Sequence, residues 1–303
     1  MSAPVSTHAR AALLMLGSTV FFGLMAIAIR LASDTLHTFE IAFFRNFFGL
    51  MAALPLLLKH GPSLLKTTQL PRYFIRCLVG VLSMFCGFWA IGHLPLAQAV
   101  SLSYSTPIFV TIAAVFFLHE QVRARRWAAV VLGFIGVLII VRPGSDSFST
   151  GTLIALAAAV LSGIVSIQIK QLSYTEPADR IVFYTTLLWV PMSFIPALFV
   201  WQWPQGITWL WVIAAGVLGT GGHMLWTRAL KLGDVSALTP ISFMQLPLVA
   251  VAGWLLFDED LNRWTALGAA IIFIANAYIA HREAQLARRS ATTAPVEAAK
   301  PGE

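Results

Sequence analysis

The stretch FGLMAIAIR at residues 22–30 has a counterpart at 162–170, SGIVSIQIK, in which Gly23 falls over Gly163, Ile29 over Ile169 and Arg30 over Lys170. The register holds further along: Glu40-Ile41-Ala42-Phe43-Phe44 lies over Arg180-Ile181-Val182-Phe183-Tyr184, and Pro107 over Pro247. Self-similarity at a period of about 140 residues marks a duplicated architecture. Each copy holds an odd number of membrane-length apolar segments, so the second must enter a bilayer upside down relative to the first. Two related halves of opposite orientation point to alternating access rather than catalysis.

With 58% hydrophobic residues, 11% charged residues and a mean hydropathy of +0.79, the chain is too apolar to close a single soluble core. A spanning helix needs roughly 20 mostly apolar residues. Ten stretches fit: 11–31, 38–58, 73–92, 96–118, 126–142, 151–170, 180–200, 207–227, 235–257 and 264–281. They are continuously apolar and rich in Leu, Ala and Gly, unlike the alternating strands of roughly ten residues that a barrel would need. The expected fold is an all-α membrane protein of ten transmembrane helices, arranged as two inverted five-helix repeats. The first stretch is longer than the apolar region of a signal peptide and has a twin at 151–170, so it is expected to remain as a helix. Cys77 and Cys86 fall nine residues apart on one predicted helix, on nearly opposite faces, and imply no disulfide.

The net charge of +7 would fit a nucleic-acid partner only if the cations were clustered for one. Topology accounts for them instead. With the N-terminus inside, all of the 20 Lys and Arg except Arg30, Arg45, Arg142 and Arg263 fall on the inner side. By the positive-inside rule both termini are expected in the cytoplasm, and no nucleic-acid partner is expected. Loops are too short for a soluble domain. The turn RPGSDSFSTG at 142–151 separates a first repeat, 11–142, from a second, 151–281, with Ser and Thr placed to cap the following helix. Residues 282–303 lack periodicity and read as a disordered cytoplasmic tail.

Two blocks carry a resemblance. WAIGHLPLAQAVSLSYSTPIFVTIAAVFFLHEQV at 89–122, followed by RRWAAVVLGFIGVLIIVRP, and RALKLGDVSALTPISFMQLPLVAVAGWLLFDEDL at 228–261 each hold a helix-breaking turn, a helix with a mid-membrane Pro and an acidic residue at its far end. The chain resembles the drug/metabolite transporter superfamily, its EamA-type branch in particular, over nearly its whole length. The resemblance implies a five-plus-five inverted repeat with a central cavity lined by the first, third and fourth helices of each half. Glu120 and Glu259 hold the acidic positions and are expected to gate or cap. In the second block the acid sits in an Asp258-Glu259-Asp260 cluster and the following loop is two residues shorter.

Several polar residues fall at membrane depth. Pro107 and Pro247 each remove a backbone hydrogen bond and are expected to kink their helices, shaping a hinge or a site or only curving the packing. Arg45, about seven residues into the second stretch, needs a partner, water or an outward path. Glu40 offers a local pair, and a carboxylate-bearing solute is the functional alternative. His223 follows Gly219-Thr220-Gly221-Gly222, a string that lacks the ending of a phosphate loop and reads either as a close helix contact or as an approach to the backbone. Gln245 in the ninth stretch and Gln98, Ser101, Tyr104 and Ser105 in the fourth must find helix or ligand partners. Trp89, with Phe85 one turn before it, and Trp226 offer stacking surfaces. Arg45, Trp89, Tyr104, His223, Trp226 and Gln245 form the expected solute cavity. Lys170, Gln168 and Arg30 read as headgroup anchors.

No ATP-binding motif, metal-ligand pattern or catalytic signature such as H-E-x-x-H occurs, so neither an enzyme nor a resident cofactor or metal is expected. The leading expectation is a secondary transporter in the inner membrane. It would export a small organic metabolite, amino-acid-like or an opine-type metallophore, driven by its own gradient or by a coupled proton or ion. Uptake of a metabolite such as riboflavin or S-adenosylmethionine is the alternative. A non-transporting subunit of a membrane complex is the alternative of another class.

Overall fold

A computed structural model describes residues 7–61, 66–118, 124–142, 149–232, 241–260 and 262–292. The described residues form helices joined by short turns, with no strand among them. In the first half these are α1 (Thr7–Ala32), α2 (Thr38–His60), α3 (Leu70–His93), α4 (Leu96–Ser103), α5 (Thr106–Leu118) and α6 (Ala124–Val141). In the second half they are α7 (Thr150–Ser173), α8 (Ala178–Ala197) continued by a 3-10 turn at Leu198–Val200, α9 (Thr208–Leu232), α10 (Gln245–Phe257) and α11 (Arg263–Thr292). Among the described residues, six segments are long and apolar enough to cross a membrane, one of them, Leu96–Ala113, running through α4 and α5, and the segments Val130–Val141 and Gln245–Phe257 are shorter but apolar. Leu13, Phe74, Ile195, Phe199 and Trp254 are each more than half exposed. Hydrocarbon solvates such a surface, and water does not.

The packing is symmetric under exchange of the halves. The first helix of each half packs on the third of the other, α1 on α9 and α7 on α3. The first also meets the proline-bearing helix of the other half, α1 on α10 and α7 on α5, while α2 packs on α8 and α6 on α11. Gly23 and Gly163, paired by the sequence repeat, repeat this in detail. A Cβ on Gly23 would lie 2.4 Å from the Leu248 side chain, and one on Gly163 would lie 3.1 to 3.2 Å from Phe109 and the Val110 backbone. Hydrogen bonds fix the inversion. Arg30, in the last turn of α1, reaches the carbonyl of Leu94 at the end of α3, so those two helices run in the same direction. Thr35, just past α1, bonds Thr208 at the start of α9 at 3.0 Å, so α9, the counterpart of α3, runs the opposite way.

The last helices of the two halves, α6 and α11, cross backbone to backbone: a Cβ on Gly136 would lie 2.8 Å from the Gly268 carbonyl oxygen, and one on Gly268 2.5 Å from that of Gly136. Only glycine permits such an approach. As the 142–151 turn predicts, Ser149 accepts from Thr152 N at the start of α7. Residues 282–292 continue α11 rather than beginning a tail, because Arg-Glu-Ala-Gln-Leu-Ala-Arg-Arg is a run of good helix formers. Residues 293–303 lie outside the described ones.

Candidate functional site at the broken helices

Neither proline kinks a continuous helix. The chain breaks at Tyr104 and Ser105 between α4 and α5, and Pro107 stands in the first turn of α5, where a missing N–H costs nothing. Turn residues at Phe243 and Met244 likewise precede α10, with Pro247 in its first turn. Local chemistry favours the break: the hydroxyls of Ser103, Ser105 and Thr106 donate back to the carbonyls of Val100, Leu102 and Ser103 at 2.6 to 2.7 Å, competing with the helical ladder. Asn276 on α11 donates Nδ2 to the Tyr104 carbonyl at 2.8 Å and satisfies one orphaned acceptor.

The two breaks meet. Tyr104 Oη donates to the Ser242 carbonyl at 2.5 Å and lies 3.2 Å from Gln245 Oε1, and its ring stacks on Phe243 at 4.2 Å. Two of the expected cavity residues, Tyr104 and Gln245, thus join across the halves. The role of Asn276 had no sequence signal beyond being an amide in an apolar stretch.

Arg30 is not a headgroup anchor. Its guanidinium pairs with Glu259 Oε1 at 3.0 Å and donates to the Ile91 and Leu94 carbonyls at 2.9 and 3.2 Å. Glu259 Oε2 accepts from Leu96 N at 2.7 Å. The chemistry of the helix ends explains the arrangement. The cation serves the free carbonyls ending α3, and the carboxylate serves the free N–H opening α4, whose N-cap, Pro95, offers no side chain acceptor. Asp258 in the left-handed conformation (φ 53°) turns the chain after α10 and lets Glu259 N bond back to Gly253 O. Beside this latch lies a cleft of about 140 Å³ lined by residues that include Pro95, Gln98, Asn262 and Thr265. Glu120, the counterpart of Glu259, lies outside the described residues, and the Lys170 side chain is likewise not described.

Arg45 does not pair with Glu40. Five residues turn a helix about 140° past one face, and both Glu40 oxygens are engaged at the helix start, accepting from His37 N and Gln202 N. Arg45 instead lies against Gly219, where a Cβ would meet its Nη2 at 2.8 Å. Gly221 and Gly222 would similarly collide with the rings of Phe21 and Phe22 at 2.6 and 2.9 Å. The glycine string is therefore a close helix contact. His223, next along, is exposed and meets Phe22 edge-on at 5.0 Å. Trp89 stacks on His93 at 3.9 Å near the end of α3, and Trp226 is 42% exposed with no ring or hydrogen-bond contact to the others. Neither joins the Tyr104 cluster. Arg76, placed by its sequence position among the inner cations, is buried (5% exposed).

The model of the EamA-like transporter family matches residues 9–142 and again 149–280. The chain belongs to the EamA-like transporter family. It is 34% identical over 227 residues to a riboflavin transporter of Vibrio cholerae, covering 74% of this chain and 76% of the relative. It is 32% identical over 255 residues to an S-adenosylmethionine uptake transporter of Rickettsia felis, with 82% and 84% covered. A pseudopaline exporter of Pseudomonas aeruginosa is 31% identical over 263 residues, with 84% and 90% covered. One solved crystal structure superposes with a TM-score of 0.63 at 20% identity over 92% of this chain and 98% of that one, a likeness of fold. Family and relatives are transporters by name, so this EamA-like chain is a multi-pass membrane protein of a transporter family.

Proposed function

We propose that this chain is a secondary carrier that moves a small organic solute across the inner membrane by alternating access, with ten spans and both termini in the cytoplasm. The observation that carries the reading is the meeting of two broken helices, one per half, through Tyr104 and the Ser242–Gln245 turn. Interrupted helices at a repeat interface offer backbone groups to a solute near the bilayer midplane, where irregular backbone is tolerated only around a cavity. The Arg30–Glu259 latch joins α1, the α3–α4 junction and the turn after α10 on one face. Opening of that face requires the latch to part. Without an ATP-binding motif, the gradient of the solute, of a proton or of another ion drives the flux.

Tyr104, Gln245, His223 and Arg45 are the residues we assign to the solute cavity, with Pro107 and Pro247 setting the breaks and Glu259 gating. Tyr104→Phe removes the hydroxyl that joins the two breaks. At about 1 kcal/mol per lost hydrogen bond it is expected to raise KM for transport about fivefold or more at equal protein level. Unchanged kinetics in Tyr104→Phe, His223→Ala and Gln245→Ala alike would remove the assignment.

Export of an amino-acid-like metabolite or an opine-type metallophore is the first direction, supported by the likeness to the pseudopaline exporter. Uptake is the second, favoured by the relative named as an S-adenosylmethionine uptake transporter. Untargeted mass spectrometry of medium and cells from a deletion strain and its complemented parent separates them. Export is expected to leave a metabolite enriched inside the deletion strain and depleted outside, and uptake the reverse. No change under several nutrient conditions would favour a subunit without transport.

A further inference from the structure

Two buried arginines converge on one ring inside the membrane layer. The guanidinium carbons of Arg45 on α2 and Arg76 on α3 lie 5.9 and 5.8 Å from the ring of Trp189 on α8. The two residues are 6% and 5% exposed. Trp189 is held in place: its Nε1 donates to the Cys77 carbonyl at 3.2 Å, and its ring lies against Gly80, where a Cβ would meet it at 3.0 Å.

Neither guanidinium has a carboxylate within ion-pair distance among the described residues. Arg45 Nη1 donates to Asn46 Oδ1 at 3.0 Å, and Asn46 is itself tied to Ser193. Arg76 Nη1 bonds Thr185 Oγ1 and lies 3.7 Å from Cys77 Sγ. The Nε of each has no acceptor among the described residues. Nor does Arg45 snorkel to the nearer face. The starts of α2 and α9 share a face through the Thr35–Thr208 bond, and Arg45 lies seven residues into α2 while its guanidinium touches Gly219, eleven residues into α9. The side chain therefore points about 6 Å deeper along the bilayer normal.

Two cations brought to one ring in low dielectric, with neutral partners and open Nε–H groups, form an arrangement that costs stability unless an anion completes it. Stacking on Trp189 offsets part of that cost. The planar guanidinium forks match an oxyanion, and the depth rules out a lipid headgroup. We propose that Arg45 and Arg76, set against Trp189, form an oxyanion-recognition site that holds the carboxylate or phosphate group of the transported solute. The inference rests on the carrier reading for the word transported; the anion site itself is a binding claim.

The test is thermal unfolding of the purified full chain in detergent, titrated at constant ionic strength in chloride with succinate, with inorganic phosphate, and with choline and mannitol as controls. Saturable stabilisation by an oxyanion and none by the controls is expected. A response to succinate alone assigns a carboxylate, and a response to phosphate alone a phosphate. Arg45→Gln and Arg76→Gln are each expected to weaken the oxyanion's apparent affinity about tenfold or more. Arg45→Lys and Arg76→Lys, which keep the charge but lose the fork, are expected to weaken it severalfold and serve if the Gln variants do not fold. Trp189→Phe is expected to abolish the oxyanion-dependent change in tryptophan emission. Equal responses to oxyanions and controls, or a saturable response of unchanged affinity in the variants at both arginines, would overturn the site. Binding without flux in vesicles would remove the carrier reading and leave the site standing. Flux of an uncharged solute without oxyanion binding would do the opposite.

Discussion

Glu259→Ala is expected to destabilise the closed face by about 2 to 4 kcal/mol, the cost of leaving a partly buried cation without its partner. The loss has two parts. Arg30 keeps its bonds to the Ile91 and Leu94 carbonyls but loses its counter-charge, and Leu96 N at the start of α4 loses its acceptor. The side chains of the pair are 19% and 14% exposed, so solvent screens the interaction only in part. In an alternating-access cycle the same energy sets the ratio of closed to open states on that face, and every 1.4 kcal/mol shifts it about tenfold. Transport in reconstituted vesicles is therefore expected to fall at least tenfold in Glu259→Ala at equal protein level. Glu259→Gln, which retains an acceptor for Leu96 N, is expected to fall less. Combining Arg30→Gln with Glu259→Gln is expected to be less than additive by about 1 kcal/mol or more in thermal unfolding. Strict additivity would show that the two side chains do not act as a latch.

Gly268→Leu is expected to prevent recovery of folded chain. Its Cβ alone would stand 2.5 Å from the Gly136 carbonyl oxygen, and backbone cannot move aside as a flexible side chain can. Overpacking in a core typically costs about 1 to 3 kcal/mol; here the obstacle is the crossing of the last helices of the two halves, so a larger cost is expected. Gly136→Leu meets the same crossing from the other side, at 2.8 Å from the Gly268 carbonyl. A change of equal volume at Gly61, where nothing lies within 4 Å of the Cβ position, serves as the control, apart from the strain of its φ of +64°. Size-exclusion profiles and thermal unfolding read the difference. A monodisperse Gly268→Leu protein with an unchanged unfolding midpoint would mean that α6 and α11 do not cross there.

What the sequence made legible was whatever repeats or is local. The Gly23 and Gly163 register predicted two halves, and the structure sets each of those glycines against the proline-bearing helix of the opposite half. The glycine string before His223 was legible as a close contact because small residues have few other uses on a packed helix. Long-range partners were not legible. Arg30 looked like an interfacial anchor because its partner lies 229 residues away, in a turn whose geometry depends on Asp258. The sequence offers Arg45 a local mate in Glu40, but capping of α2 engages that carboxylate first. Arg76 counted toward the positive-inside bias, a rule about position along the chain that carries nothing about which way a helix face points. Both prolines were legible as interruptions. That Pro107 opens a new helix rather than bending an old one depends on Ser and Thr side chains bonding back to the end of α4.

The most direct test of alternating-access transport is solute flux by the purified chain alone, reconstituted in sealed vesicles, with the metabolite identified from the deletion strain as solute. Saturable flux down the imposed gradient, accelerated by unlabelled solute on the far side and diminished in Glu259→Ala, is the expected result. A folded chain in sealed vesicles that moves the solute no faster than empty vesicles do would contradict the account.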